Sequence, residues 1–187
     1  MDLFEFYMIL LSVVIGLALS EFLTGTANLI RTRRTVKLYW LHIFFQVAVF
    51  IALFQQWWES WELRYIPELT VWAVLTLLAS PLLLFLLAHL LYPRVTEGVD
   101  LKDYYFRQAS ILWWIVVAGM ISGTLIKPLS LNFNIFQMNN LSGFLTIPVC
   151  IILASTKNQY VHQILAPLVL GIEIFDTLLA GLVISDG

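Results

Sequence analysis

Apolar residues fall in six long runs, roughly Phe4–Ile30, Leu38–Trp61, Leu69–Tyr92, Phe106–Ile126, Ile135–Ala154 and Val161–Ile184. Short polar or turn-forming clusters separate them: Arg31–Lys37, Glu62–Glu68, Pro93–Tyr105, Lys127–Asn134 and Ser155–Tyr160. Crossing a bilayer takes about 20 apolar residues per helix. In hydrocarbon an unpaired backbone group is too costly to leave, so runs of this length predict helices. Barrel strands would be segments of about ten residues with strict alternation, a pattern missing here. The chain therefore reads as all-α: a polytopic bundle of six transmembrane helices forming a single domain over residues 1–187.

Composition sharpens this picture. Hydrophobic residues make up 60% of the chain and charged ones 12%, against about 25% charged in an average soluble domain. Mean hydropathy is +0.88. Six crossings consume roughly 120 residues, which excludes a soluble catalytic head or a large ligand-binding lobe. Residues 1–5 (Met-Asp-Leu-Phe-Glu) lack the basic start of a cleavable signal, so the first run is expected to stay as a helix. Cys150 is the one cysteine, which excludes an intrachain disulfide or a cysteine metal cluster. The formal net charge of −2 offers no bulk attraction for nucleic acid, and no nucleic-acid partner is expected.

Charge also orients the chain. Arg31, Arg33, Arg34, Lys37, Arg94, Lys102, Arg107 and Lys157 fall on one side of the six crossings, and Arg64 and Lys127 on the other. Asp2, Glu5, Glu59, Glu62, Glu68 and Asp186 gather on the basic-poor side. Positive charge is retained in the cytoplasm, so both termini are expected on the non-cytoplasmic side. Trp57, Trp58, Trp61, Tyr65 and Trp72 would form the outer aromatic belt, and Tyr39, Trp40, Tyr92, Tyr104, Tyr105 and Tyr160 the inner one. Three plus three crossings also permit an inverted repeat, echoed by Ser80-Pro81-Leu82-Leu83-Leu84 against Ala166-Pro167-Leu168-Val169-Leu170. The plainer reading of those runs, with Pro148, is a set of helix kinks.

Ionisable groups inside a span cost about 2.5–3.5 kcal/mol or more at mid-depth and call for a reason. Glu21 in the first run, and Glu173 and Asp176 in the sixth, qualify. At 1.5 Å per residue, Glu173 and Asp176 lie about 16 and 12 Å inside Ile184, and Glu21 about 13 Å inside Ile30. Around them are polar residues: Ser12, Gly16, Ser20, Thr24 and Asn28 at every fourth position of the first run, Gln55 in the second and Thr177 in the sixth. Such a stripe permits close helix approach and interhelical hydrogen bonds. Those bonds average only about 0.6 kcal/mol, too little to offset three buried acids, which favours a functional role over a packed interface. Gly119 and Gly123 form a further small-residue pair.

His42, His89 and His162 share one depth near the inner helix ends. Interfaces collect amphipathic side chains, so headgroup-zone histidines are the expectation, and neither metal nor cofactor is required. Trp113-Trp114 lies deeper than tryptophan prefers, and the sequence leaves a cavity wall, an oligomer contact and lipid exposure open. Arg31, Arg33, Arg34 and Lys37 form a patch suited to anionic lipid headgroups at about 1 kcal/mol each, or to a partner protein. No HExxH, GxSxG, Walker A or dinucleotide loop is present, so no enzymatic activity is expected. In general form the chain resembles the small multi-pass proteins of bacterial inner membranes, without a diagnostic motif of any characterised family.

These features point first to a solute- or ion-translocating transporter or channel, expected to be homo-oligomeric. In it Glu173, Asp176 and Glu21 would handle protons or cations, with Ser20, Thr24, Asn28, Gln55 and Thr177 along the path. The alternative is a non-catalytic sensor, anchor or assembly component, or an effector pore, working through a partner protein.

Overall fold

In the computed structural model of the protein, residues 3–66, 70–94, 98–131, 134 and 141–182 are described. Six helices account for nearly all of them: α1 (Leu3–Arg31), α2 (Trp40–Ser60, prolonged by a 3-10 turn Trp61–Tyr65), α3 (Val71–Leu90), α4 (Leu101–Ser130), α5 (Leu141–Ser155) and α6 (Gln159–Leu182). Among the described residues there is no strand, only one parallel bridge between Lys37 and Asp100. Five helices, α1 to α4 and α6, are long and apolar enough to cross a membrane, and α5 is apolar but shorter. Of the expected run Ile135–Ala154, residues 135–140 lie outside the described residues. Leu69 and residues 183–184 of two other expected runs do so as well.

Helix limits follow local chemistry. Asp100 caps α4, its Oδ1 accepting from the backbone N–H of Lys102 at 2.9 Å and of Asp103 at 3.4 Å, so the helix starts before the expected Phe106. Thr70 caps α3 in the same manner, accepting from Ala73 at 3.1 Å. The far end of α4 is the larger departure, because the helix continues through the expected break at Lys127. Pro128 has no N–H to offer the Thr124 carbonyl and its ring crowds that oxygen. One π turn, Ser122–Ile126, absorbs the fault, the Lys127 N–H reaching back to the Ser122 carbonyl.

Helix contacts run α2–α3, α3–α4, α4–α5, α5–α6 and α6–α2, closing a ring, while α1 lies against α3 and α2. The loop 31–37 and residues 98–100 meet at one end, where Lys37 N–H donates to Val99 O and Leu101 N–H to Lys37 O, both at 3.0 Å. We call this the basic end. The ring is filled by Phe45, Leu53, Leu112, Trp113, Val117, Leu153 and Leu170, with Trp113 stacked on Phe45 at 5.1 Å. A smaller cluster of Tyr7, Leu11, Ile15, Leu63, Val74 and Leu77 packs beneath the start of α1. Large apolar side chains also cover the outside at mid-helix, among them Val13, Leu17, Leu75, Leu82, Leu145, Ile164 and Leu168. A surface so apolar is unsuited to water, and with the long helices it marks a membrane protein.

Two expectations about close packing change. The Ser12, Gly16, Ser20 and Thr24 stripe points outward, with only Asn28 half-buried. The face that α1 buries instead is Tyr7, Leu11, Ile15, Ala18, Phe22, Gly25 and Leu29, because large apolar groups gain more dispersion contact than a serine does. Gly119 and Gly123 likewise have no neighbour where a Cβ would stand. The close approaches are at Gly25, where a Cβ would run into the Tyr92 ring, and at Gly143, where it would meet the Thr124 side chain. The Tyr92 ring cannot easily yield: Phe22 lies edge-on to it at 5.6 Å and its hydroxyl bonds Thr26 Oγ1 at 2.7 Å. Gly25→Val is expected to lower stability by about 1–3 kcal/mol through overpacking, read as a lower unfolding midpoint in detergent, while Gly16→Val leaves it unchanged. Equal midpoints for the two variants would contradict the packing.

Candidate functional site

A polar system occupies the half of the bundle far from the basic end. On α2, Gln55 Nε2–H donates to Glu59 Oε1 at 2.7 Å, one helical turn on. The Thr177 hydroxyl of α6 sits between Gln55 Oε1 and its own helix's Glu173 carbonyl, and gives its single proton to one of them at a time. Lys127, set at the end of the π turn, donates to Glu59 Oε2 at 3.4 Å. Next round α2, the Gln56 Oε1 accepts from Ser80 Oγ of α3 at 2.8 Å, and Ser60 Oγ donates to the Gln56 carbonyl at 2.7 Å.

Part of this system lines a cleft of about 40 Å³ between α2 (Gln56, Glu59, Ser60), α3 (Thr76, Leu77, Ser80) and α4 (Ser122, Gly123, Lys127). A water molecule needs roughly 10–15 Å³ of such volume, so the cleft has room for about three or four waters or one small ion. The π turn delivers Ser122, Gly123 and Lys127 to its wall, in keeping with the frequent use of π bulges at functional sites.

Glu173 stands beside this system, half-buried, with Thr146 Oγ1 of α5 at 3.2 Å from Oε1. Thr146 is also 2.8 Å from the Ser142 carbonyl. That pairing serves a carboxyl group in either protonation state. Toward a carboxylate, Thr146 donates its proton; toward a neutral acid, it turns the proton to Ser142 and accepts from the carboxyl. The carboxylates of Asp176 and Glu59 lie near enough to act electrostatically on Glu173. Asp176 is half-buried and makes no hydrogen bond or ion pair with a described residue. Three carboxyl groups thus face one region, with Lys127 paired to one of them, so the acids outnumber the base and the set favours taking up a proton or cation. They do not form a tight metal cage: among the described residues no three His, Cys, Asp or Glu converge.

Glu21 is placed elsewhere. Its Oε2 accepts from His89 Nδ1 on α3 at 3.0 Å, both side chains being close to half exposed. Because Thr26 of α1 already meets Tyr92 just past the end of α3, α1 overhangs its neighbour. Glu21 therefore sits near the basic end of α3. Ser20 and Thr24 face outward beside it. Arg31, Arg33 and Arg34 are exposed, and Lys37, also exposed, pairs with Asp100 at 3.8 Å.

Two of the three histidines, His42 and His162, are fully buried in the bundle within the first turn of their helices. His162 Nε2–H donates to the Thr156 carbonyl at 2.9 Å, which leaves Nδ1 to accept from the Tyr105 hydroxyl at 2.9 Å. Trp113 Nε1–H donates to the Tyr105 oxygen at 3.0 Å. This explains the deep tryptophan pair: Trp113 is fully buried in that chain, and Trp114 faces outward.

Sequence reasoning named Glu173, Asp176, Gln55 and Thr177 but missed Lys127, Ser80 and Thr146 as site residues. Lys127 carried a signal, being one of two basic residues on the acid-rich side. No protein-family model, curated protein or solved structure matches the chain.

The Glu59–Lys127 pair is only partly buried, so its coupling should be small, about 0.5–1 kcal/mol. Glu59→Gln, Lys127→Met and the double variant, compared by reversible unfolding, are expected to show a double-variant loss below the sum of the single losses by that amount. Strict additivity would show that the pair does not form.

Proposed function

We propose that the protein moves protons or small cations across a membrane, with Glu173 as the exchanging group and Asp176 and Glu59 setting the local field. The observation that carries this reading is the Thr146 hydroxyl, placed between Glu173 and the Ser142 carbonyl so that both protonation states of the acid are satisfied. A carboxyl kept only for packing has no need of a partner that can reverse its role. Gln55 and Thr177 extend the polar path to Glu59 and the cleft. Glu21 and His89 form a separate hydrogen-bonded pair outside it. In this reading the positive-inside pattern puts the basic end in the cytoplasm of a bacterial inner or plasma membrane. The cleft then opens toward the other side, where both termini lie, and Arg31, Arg33 and Arg34 rest on anionic headgroups.

A second reading draws support from α1. Its outward Ser12, Gly16, Ser20 and Thr24 stripe suits close approach by another helix, from a second copy or from a partner subunit. On that reading the chain is an assembly component and its acids are structural.

The two readings separate in liposomes loaded with a pH-sensitive dye. Wild-type protein is expected to dissipate an imposed proton or monovalent-cation gradient. Glu173→Gln should reduce the flux at least tenfold, and Thr146→Val should reduce it while Thr146→Ser retains it. Flux equal to that of empty liposomes, or unaltered by Glu173→Gln, would overturn the transport reading. In the same membranes, Gly16→Leu is expected to weaken self-association measured by energy transfer between labelled copies, without changing flux per copy.

A further inference from the structure

At the basic end, α2 starts with three polar groups on one face: Tyr39 at the N-cap, His42 and Gln46. They are 7%, 0% and 6% exposed, in that order. Both ring nitrogens of His42, the Gln46 Nε2 and the Tyr39 hydroxyl have no hydrogen-bond partner among the described residues. The Leu91 backbone faces His42, and Gln163 faces Tyr39, without completing a bond of normal geometry. The neighbouring Tyr105 is already engaged with His162 and Trp113. Tyr104 and Tyr105 stand edge-on to the His42 ring at 5.8 and 6.1 Å.

Buried polar atoms without partners cost about 1–3 kcal/mol each, and several on one helix face, none supplied by the protein, mark a place where something else supplies them. The chemistry of the set identifies it. A neutral imidazole offers one donor and one acceptor, an amide nitrogen two donors, and a phenol one donor and an acceptor. An anion would leave the imidazole acceptor unmet, and a cation would leave the amide donors unmet. Only a molecule that both donates and accepts fits them all. We propose that Tyr39, His42 and Gln46 hold one or more water molecules inside the bundle, forming a hydration site at the basic end distinct from the far cleft.

This inference rests on the orphaned groups and not on transport. Its consequence for the bundle is that polar sites occupy both ends of α2, Gln46 at one and Gln55 at the other, with buried Val49 and Leu53 between them. The gap is about 14 Å along the helix.

The test uses the full chain in lipid nanodiscs with histidines labelled by 15N. Magnetisation transfer from water to the His42 ring is expected to be strong, while His162, whose two nitrogens are both held by protein groups, serves as the internal control. Gln46→Leu should lower the His42 transfer at least twofold without shifting the His162 signals. Water transfer to His42 no greater than to His162 would overturn the proposal, as would a His42 signal indifferent to Gln46→Leu. As a second readout, His42→Phe should lower the unfolding midpoint, because the enclosed waters lose a partner. A raised midpoint would mean that the ring sits in a dry pocket, and the proposal would fail. Both readouts are independent of flux, so their failure leaves the transport reading to its own test.

Discussion

Lipid supplies no hydrogen bonds, and that single deficit shapes every polar feature of this protein. A donor or acceptor inside the bundle must be met by another part of the chain, or by water the chain encloses. The response differs at the two ends. Near the basic end, a chain of bonds from Trp113 through Tyr105 and His162 to the Thr156 carbonyl is closed within the protein, and it fixes which His162 nitrogen carries the proton. At the far end the bonds run from Thr177 through Gln55 and Glu59 to Lys127 and border a cleft. Closed chains make rigid packing. Chains that border open volume, and that include hydroxyls able to donate in two directions, leave room for a proton or ion to change places.

The far-end arrangement depends on two local faults in otherwise regular helices. Pro128 cannot complete an α-helical turn, and the π turn before it widens the backbone and swings Lys127 toward Glu59. Gly143 removes a side chain where Thr124 of that turn presses on α5. α5, held close to α4 at this point, also packs on α6, which puts its Thr146 within reach of Glu173. Residues that look like interruptions in an apolar pattern thus locate the polar site.

Much of the architecture was legible in the sequence because lipid demands long apolar helices. Runs near the described helices could be read directly, and Asp100 and Thr70 are ordinary caps. The facing of α1 was not legible. In water, a stripe of serine and glycine on an apolar helix would turn inward only with difficulty, and in lipid either face is tolerated. The outcome was decided by the larger volume of Tyr7, Leu11, Phe22 and Leu29, a packing term that periodicity does not weigh. Glu173 and Asp176 stand out in the sequence because charge in a span is rare. Their partners were not, since Thr146 is separated from Glu173 by 27 residues and Lys127 from Glu59 by 68. Glu21 resembled them by depth along its own helix. The overhang of α1 is what gives it a different neighbour, and no count along one helix reveals an offset between two.

The packing of the bundle implies a far-end cleft that is wet and closed off from the basic end by the apolar filling of the ring. Cysteine accessibility tests this most directly. With Cys150 replaced by Ser, single cysteines at Ser80, Ser122 and Leu53 would be challenged with a membrane-impermeant thiol reagent from each side of sealed vesicles. The account predicts that Ser80→Cys and Ser122→Cys react from the side of the cleft alone, and that Leu53→Cys reacts from neither. Inert cysteines at Ser80 and Ser122, or labelling of Leu53→Cys at a comparable rate, would contradict it.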